Sequence, residues 1–169
     1  GSSPGLALAA SNEGDVILGA NSTSFDAGWY WTQATGIQLL ENGGFGDVTA
    51  YALSADGSKI VGYGHTGTGN IEALLWDGAG STPRRLEEIL TGDYGFDLGG
   101  DQLVYASDVS ADGGTIVGKG NEFGVTGLQA FRLQFPPLAT PVPAMQPWAL
   151  RWMALLLLGT ALLPSSFAR

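Results

Sequence analysis

An all-β fold, built as a propeller-like array of about three four-stranded units and followed by one C-terminal hydrophobic helix, is what three features of this sequence predict. Glycine fills 27 of 169 positions while charged residues make up only 14%, against a usual glycine share of about 7%. So much glycine with so few long polar side chains implies many short strands joined by tight turns. A nine-residue window recurs along the chain. The composition also breaks near Phe135: residues 136–169 hold six of the eight prolines, one glycine, two arginines and no acid. Residues 1–135 therefore carry all 16 carboxylates against five basic residues, a formal charge of −11. The chain falls into a β-repeat domain (1–135), a proline-rich linker (136–147) and an apolar helix with a short tail (148–169).

The windows are Ser11–Gly19 (SNEGDVILG), Ser54–Gly62 (SADGSKIVG) and Ser110–Gly118 (SADGGTIVG). The last two agree at seven of nine positions, and the windows start 43 and 56 residues apart. Internal similarity at this period marks a repeat architecture. The units run over about 6–47, 48–102 and 103–135, and the middle one carries about a dozen extra residues.

Each element follows from the pattern. A first strand precedes each window (Leu6–Ser11, Val48–Ser54, Leu103–Ser110). Asp56-Gly57 and Asp112-Gly113 then form turns in which Asp caps and Gly supplies a positive φ. A second strand ends on the closing glycine, over Lys59–Gly62 and Thr115–Gly118. After a glycine-rich loop comes a third, aromatic strand: Gly28–Thr32, Ala73–Asp77 or Ala130–Gln134. A weaker fourth strand is expected over Gly36–Leu40 and Arg84–Leu90. Four short strands in about 45 residues is the arithmetic of a propeller blade, and closure needs about four blades. Because the first unit opens inside a repeat, the expectation is an incomplete propeller with further repeats upstream.

The pattern of Ser54–Gly62 and Ser110–Gly118, each followed by a strand such as Ala130–Arg132, resembles the HAF-type extracellular repeat of bacterial surface proteins. Trp31 and Trp76 fill that repeat's tryptophan slot, and Leu133 replaces it in the last unit. The resemblance implies an exported, repeat-built protein.

Trp148–Leu163 contains seven leucines. As a helix it would span roughly 24 Å of the ~30 Å hydrocarbon core, and Pro164–Ala168 makes up the length. Seven leucines at roughly −0.5 kcal/mol offset one arginine at about +2.5 to +3.5, and Arg151, near one end, can snorkel. The preceding residues Val142, Pro143, Ala144 and Met145, with Trp148 and the terminal Arg169, resemble an IPTL-type C-terminal sorting signal, a relative of the PEP-CTERM signals. That resemblance implies export across the inner membrane of a Gram-negative bacterium and transient anchoring there. It further implies processing near Val142–Met145 by an exosortase-type membrane transpeptidase, then delivery to the cell surface or medium.

Other motifs support less chemistry. The chain has no cysteine and one histidine, so disulfides, cysteine nucleophiles and zinc–thiolate sites are absent. The acidic balance argues against nucleic acid, whose binders need basic surfaces. Gly62-Tyr63-Gly64-His65-Thr66-Gly67 spells GxGxxG, yet a dinucleotide site requires a helix next, and TGNIEALLW reads as strand. His65, without a nucleophile or GxSxG elbow, is expected as an exposed loop residue. Asp93, Asp97 and Asp101 are weak calcium candidates in the long insertion of unit two, otherwise expected as a solvated acidic loop. Trp29, Tyr30 and Trp31 either stack on sugar or send alternate rings into the core. The expectation is a non-enzymatic exported surface protein without a cofactor. The alternative is a ligand-binding repeat domain, for calcium or envelope polysaccharide, anchored in the inner membrane.

Overall fold

A computed structural model describes residues 5–21, 27–121, 124 and 126–135. The chain divides between Phe135 and Pro136 into two units. The linker, the sorting motif and the apolar segment 148–169 lie outside the described residues. Among those that are described, no helix is long and apolar enough to cross a membrane.

The fold is all-β, with three antiparallel sheets in chain order. The first sheet contains β1 (Gly5–Ala10), β2 (Val16–Asn21), β3 (Gly28–Thr32) and β4 (Gly36–Leu39). The second contains β5 (Val48–Leu53), β6 (Ile60–His65), β7 (Ile71–Trp76) and the two-residue β8 (Arg84–Arg85). The third contains β9 (Gln102–Val109), β10 (Thr115–Asn121) and β11 (Leu128–Gln134), three strands among the described residues. Within each sheet every strand pairs with the next in sequence.

Unit two departs from the expected fourth strand over Arg84–Leu90. The strand stops at Arg85, and the chain turns into α1 (Leu86–Glu88) and a π-helical turn (Ile89–Asp93). Leu86, Ile89 and Leu90 are all buried. Their spacing of three and four residues puts them on one helical face, and that face closes the core against the third sheet. The insertion is accordingly more than a solvated loop, because Tyr94 and Leu98 also pack against this core.

The middle sheet is covered on both faces. Toward the first sheet, Ile60, Leu74 and Trp76 pack with Leu18, Leu40 and Phe45. Toward the third, Val61, Ala73 and Leu75 pack with Leu103, Ala106, Val109 and Ile116. Burying each such side chain stabilises by about 1.5–3 kcal/mol relative to exposure. A bulge lets one strand serve both cores: pairing slips between Ala50 and Ala52, so Val48 and Ala50 face the first sheet while Ala52 faces the third. The same slip falls between Ala7 and Ala9 in β1 and between Ala106 and Asp108 in β9.

The bulge also explains the closing glycine of the window. A Cβ on Gly62 would lie 1.9 Å from the Thr49 carbonyl oxygen, and one on Gly118 would lie 1.9 Å from that of Tyr105. On Gly19 it would meet the Leu6 carbonyl at 2.4 Å and the Trp29 ring at 2.0 Å. Only glycine fits where the bulged first strand presses on the second.

Candidate functional site

The polar residues that recur in the windows are engaged in their own turns. Ser54 Oγ accepts the Lys59 N–H at 3.0 Å and donates to Asp56 Oδ1 at 2.6 Å. Asp56 Oδ1 also accepts the Ser58 N–H at 3.0 Å. Unit three repeats this with Ser110, Thr115, Asp112 and Gly114. In unit one, Ser11 Oγ accepts the Val16 N–H at 3.1 Å. The turn glycines Gly14, Gly57 and Gly113 have φ of 73°, 70° and 71°. The Ser54 hydroxyl and then the Ser58 amide favour the charged carboxylate, holding Asp56 down to about 2. Asp112 is lowered in the same way, first by Ser110.

Successive turns are joined to one another. The Asn12 N–H donates to the Ala55 carbonyl at 2.8 Å, and the Ala55 N–H donates to the Ala111 carbonyl at 2.9 Å. These are the second residues of the three windows. A Cβ on Gly57 would meet Val16 Cγ2 at 2.8 Å, and one on Gly113 would meet Lys59 Cγ at 2.8 Å. The same pair of window positions is therefore in contact at both inter-unit seams.

The GxGxxG stretch is strand and turn: Gly62 and Gly64 lie within β6, and β7 follows. A Cβ on Gly64 would strike Leu74 and Phe45 at 2.8 and 2.9 Å, so this glycine serves packing. His65 ends β6, half-buried rather than exposed in a loop. Its ring stands edge-on to Tyr63 at 5.5 Å between centroids. Tyr63 in turn contacts Tyr51 at 5.5 Å and Tyr105 at 5.0 Å, and Lys119 Nζ lies 4.8 Å over the Tyr105 ring. Burial and the neighbouring Tyr63 push the Tyr51 hydroxyl up to about 12. Sequence reasoning missed this cluster because its members come from four strands in two units, with no local spacing to announce it.

The structure does not bring Asp93, Asp97 and Asp101 together; among the described residues no three His, Asp or Glu side chains gather in a metal-binding group. Arg84 grips both oxygens of Asp93 at 2.8 and 3.1 Å and lowers its pKa. Asp97 accepts the Gly99 N–H at 2.9 Å. Trp29, Tyr30 and Trp31 are all half-buried. Tyr30 packs into the core between the first two sheets, whereas Trp29 crosses the opposite face, over Gly19 and Gly5. Val142, Pro143, Ala144, Met145, Trp148 and Arg169 lie outside the described residues.

One open groove of about 130 Å³ lies on the third sheet, where Asp101, Gln102, Asn121 and Gln129 stand beside Phe131. Its volume is well below the roughly 300–1,000 Å³ of a small-molecule pocket.

No protein-family pattern matches this chain, and no curated protein matches it. In fold it is similar to a crystal structure of TolB from Acinetobacter baumannii, a β-propeller, with a TM-score of 0.50 at 20% sequence identity. That likeness covers 80% of this chain and 31% of the TolB chain, so this chain spans about a third of its structural neighbour.

Proposed function

We propose that this chain is a non-enzymatic, exported surface protein whose units are propeller blades and whose tail is a cleavable sorting signal. The observation that carries this reading is the use made of the repeat's own polar residues. Ser54, Asp56, Ser110 and Asp112 fold their turns, and the second window positions link one unit to the next. The polar residues of the repeat thus serve the turns and the seams of the array. The blade arrangement is further supported by three sheets packed in chain order and by the likeness to TolB.

Delivery rests on the sequence of the tail. Pro143 and Trp148 hold the spacing of the sorting signal, and the leucine-rich run after them supplies an apolar stretch of membrane scale. The deciding experiment is the intact mass of the protein, expressed with an export signal in a Gram-negative host that has an exosortase. The expected product is a released form lacking everything after about Val142. Only full-length protein in the inner membrane would sink the sorting reading.

Binding of envelope polysaccharide is the second reading, and the amide-rich groove beside Phe131 is what favours it. Ligands that bind only the folded state raise its melting temperature, so a shift of several degrees with polysaccharide would support this function. Parallel melts with calcium address the acidic loop.

A further inference from the structure

Each first strand carries one residue that the ladder skips at its bulge. Pairing runs from Ala7 opposite Gly19 to Ala9 opposite Leu18, and from Ala50 opposite Gly62 to Ala52 opposite Val61. In β9 it runs from Ala106 opposite Gly118 to Asp108 opposite Val117. The skipped residues are Leu8, Tyr51 and Ser107, each three places before its window serine. Leu8 and Tyr51 are 40% and 39% exposed, and Ser107 is exposed too. Ala50 and Ala52, on either side of Tyr51, are buried. The alanine–glycine pair at the bulge is thus the same in all three units, whereas the side chain turned outward differs. Bulges re-aim a side chain in this way, and stacked repeats use such outward positions as extended binding surfaces.

β5 lies beside β1 and beside β9, so these outward positions form one row across the units. At Tyr51 the row meets a cluster of phenols. The Tyr51 and Tyr63 hydroxyls share a hydrogen bond, Tyr105 packs edge-on to Tyr63 across the seam, and Lys119 lies over the Tyr105 ring. Among the basic residues of 1–135, Lys59, Arg84 and Arg85 pair with carboxylates, whereas Lys119 is turned to this ring. All four side chains come from units two and three, inside the described residues. Flat rings bearing hydroxyls give a sugar both an apolar face and a hydrogen-bonding tip. The formal charge of −11 on residues 1–135 repels polyanions at range, and the Lys119 ammonium disfavours a cationic sugar at the cluster. We propose that the row of bulge residues, centred on Tyr51, is a binding surface for a neutral polysaccharide strand. This rests on the second reading above, polysaccharide binding, and gives it a site at the Tyr51 cluster in place of the groove beside Phe131.

Affinity electrophoresis tests the site on the full-length protein in mild detergent. Native gels are cast with a soluble β-glucan, a galactomannan or dextran, which are neutral, or with alginate, a polyuronate. The expected result is retardation by at least one neutral polymer and none by alginate. Tyr51→Ala should weaken that retardation about fivefold, the loss of one ring contact, and Tyr51→Phe should keep most of it. Ser107→Trp adds a ring at the next position of the row and should strengthen it. Gln129→Ala, in the groove beside Phe131, should leave it unchanged, and melting curves confirm that each variant is folded. Retardation by alginate alone, retardation that survives Tyr51→Ala, or no gain from Ser107→Trp would each overturn the proposal. Retardation lost in Gln129→Ala but kept in Tyr51→Ala would return the function to the groove. Unretarded passage through every neutral gel would overturn the site and the second reading together.

Discussion

Ser54 is fully buried, and its hydroxyl accepts from the Lys59 amide and donates to Asp56. Ser54→Ala removes both bonds and leaves a part-buried amide with one fewer partner, which should cost about 1–3 kcal/mol; urea unfolding measures it. The carboxylate it supports has a depressed folded pKa, so its contribution is present above the unfolded value of about 4. That contribution is lost as pH falls through about 2. Melts between pH 5 and pH 2 should show a loss of stability that is smaller in the Asp56→Asn variant. Gly62 and Gly67 separate packing from phosphate binding within one motif. Gly62→Ala drives a methyl into the Thr49 carbonyl and should cost at least about 3 kcal/mol, whereas Gly67→Ala meets open space and should leave the melting temperature unchanged.

At the scale of elements, the first three strands of each unit were legible because the repeat supplies each of them three times over. Asp-Gly marks the turn, and an aliphatic pair with its closing glycine marks the second strand. An aromatic run marks the third. The bulges were not legible, since stretches such as GLALAA and VTAYAL lack the polar–apolar alternation that a slip would interrupt. Neither was α1, because in LEEIL the same leucines and isoleucine suit a short strand or one helical turn; contact with the third sheet decides for the helix. Of the candidate sites, His65 went from expected loop to half-buried strand end because strand length is set by pairing with β7. Trp76 is the best test of an element's seam. It is fully buried, and its indole N–H donates to the Glu41 carbonyl at 2.9 Å. Trp76→Ala should destabilise by about 3–5 kcal/mol, and Trp76→Phe by less, with loss of that bond. The exposed Arg84–Asp93 pair, although bidentate, should contribute little to stability, and less at high salt; a double-mutant cycle at low and high salt would measure this.

For the whole molecule, stability is distributed as in other stacked-repeat proteins, where each unit leans chiefly on its neighbours. The second sheet has a neighbour on both faces, and its β6 and β7 supply Ile60, Val61, Leu74 and Leu75 to two separate cores. Among the described residues, the first and third sheets each contribute to one of these two cores. Opening either outer sheet exposes one core, whereas opening the middle sheet exposes both. Amide exchange should therefore be graded by position in the array, with the slowest amides in β6 and β7 and faster ones in β4 and β11. The difference should be at least about tenfold, since a local opening that spares one core costs less than the global transition. Hydrogen-exchange mass spectrometry of the full chain measures this gradient. Uniform exchange across the three sheets would mean that the units unfold as one cooperative block, and that the inter-unit bonds at Asn12, Ala55 and Ala111 couple them more tightly than their separate cores imply.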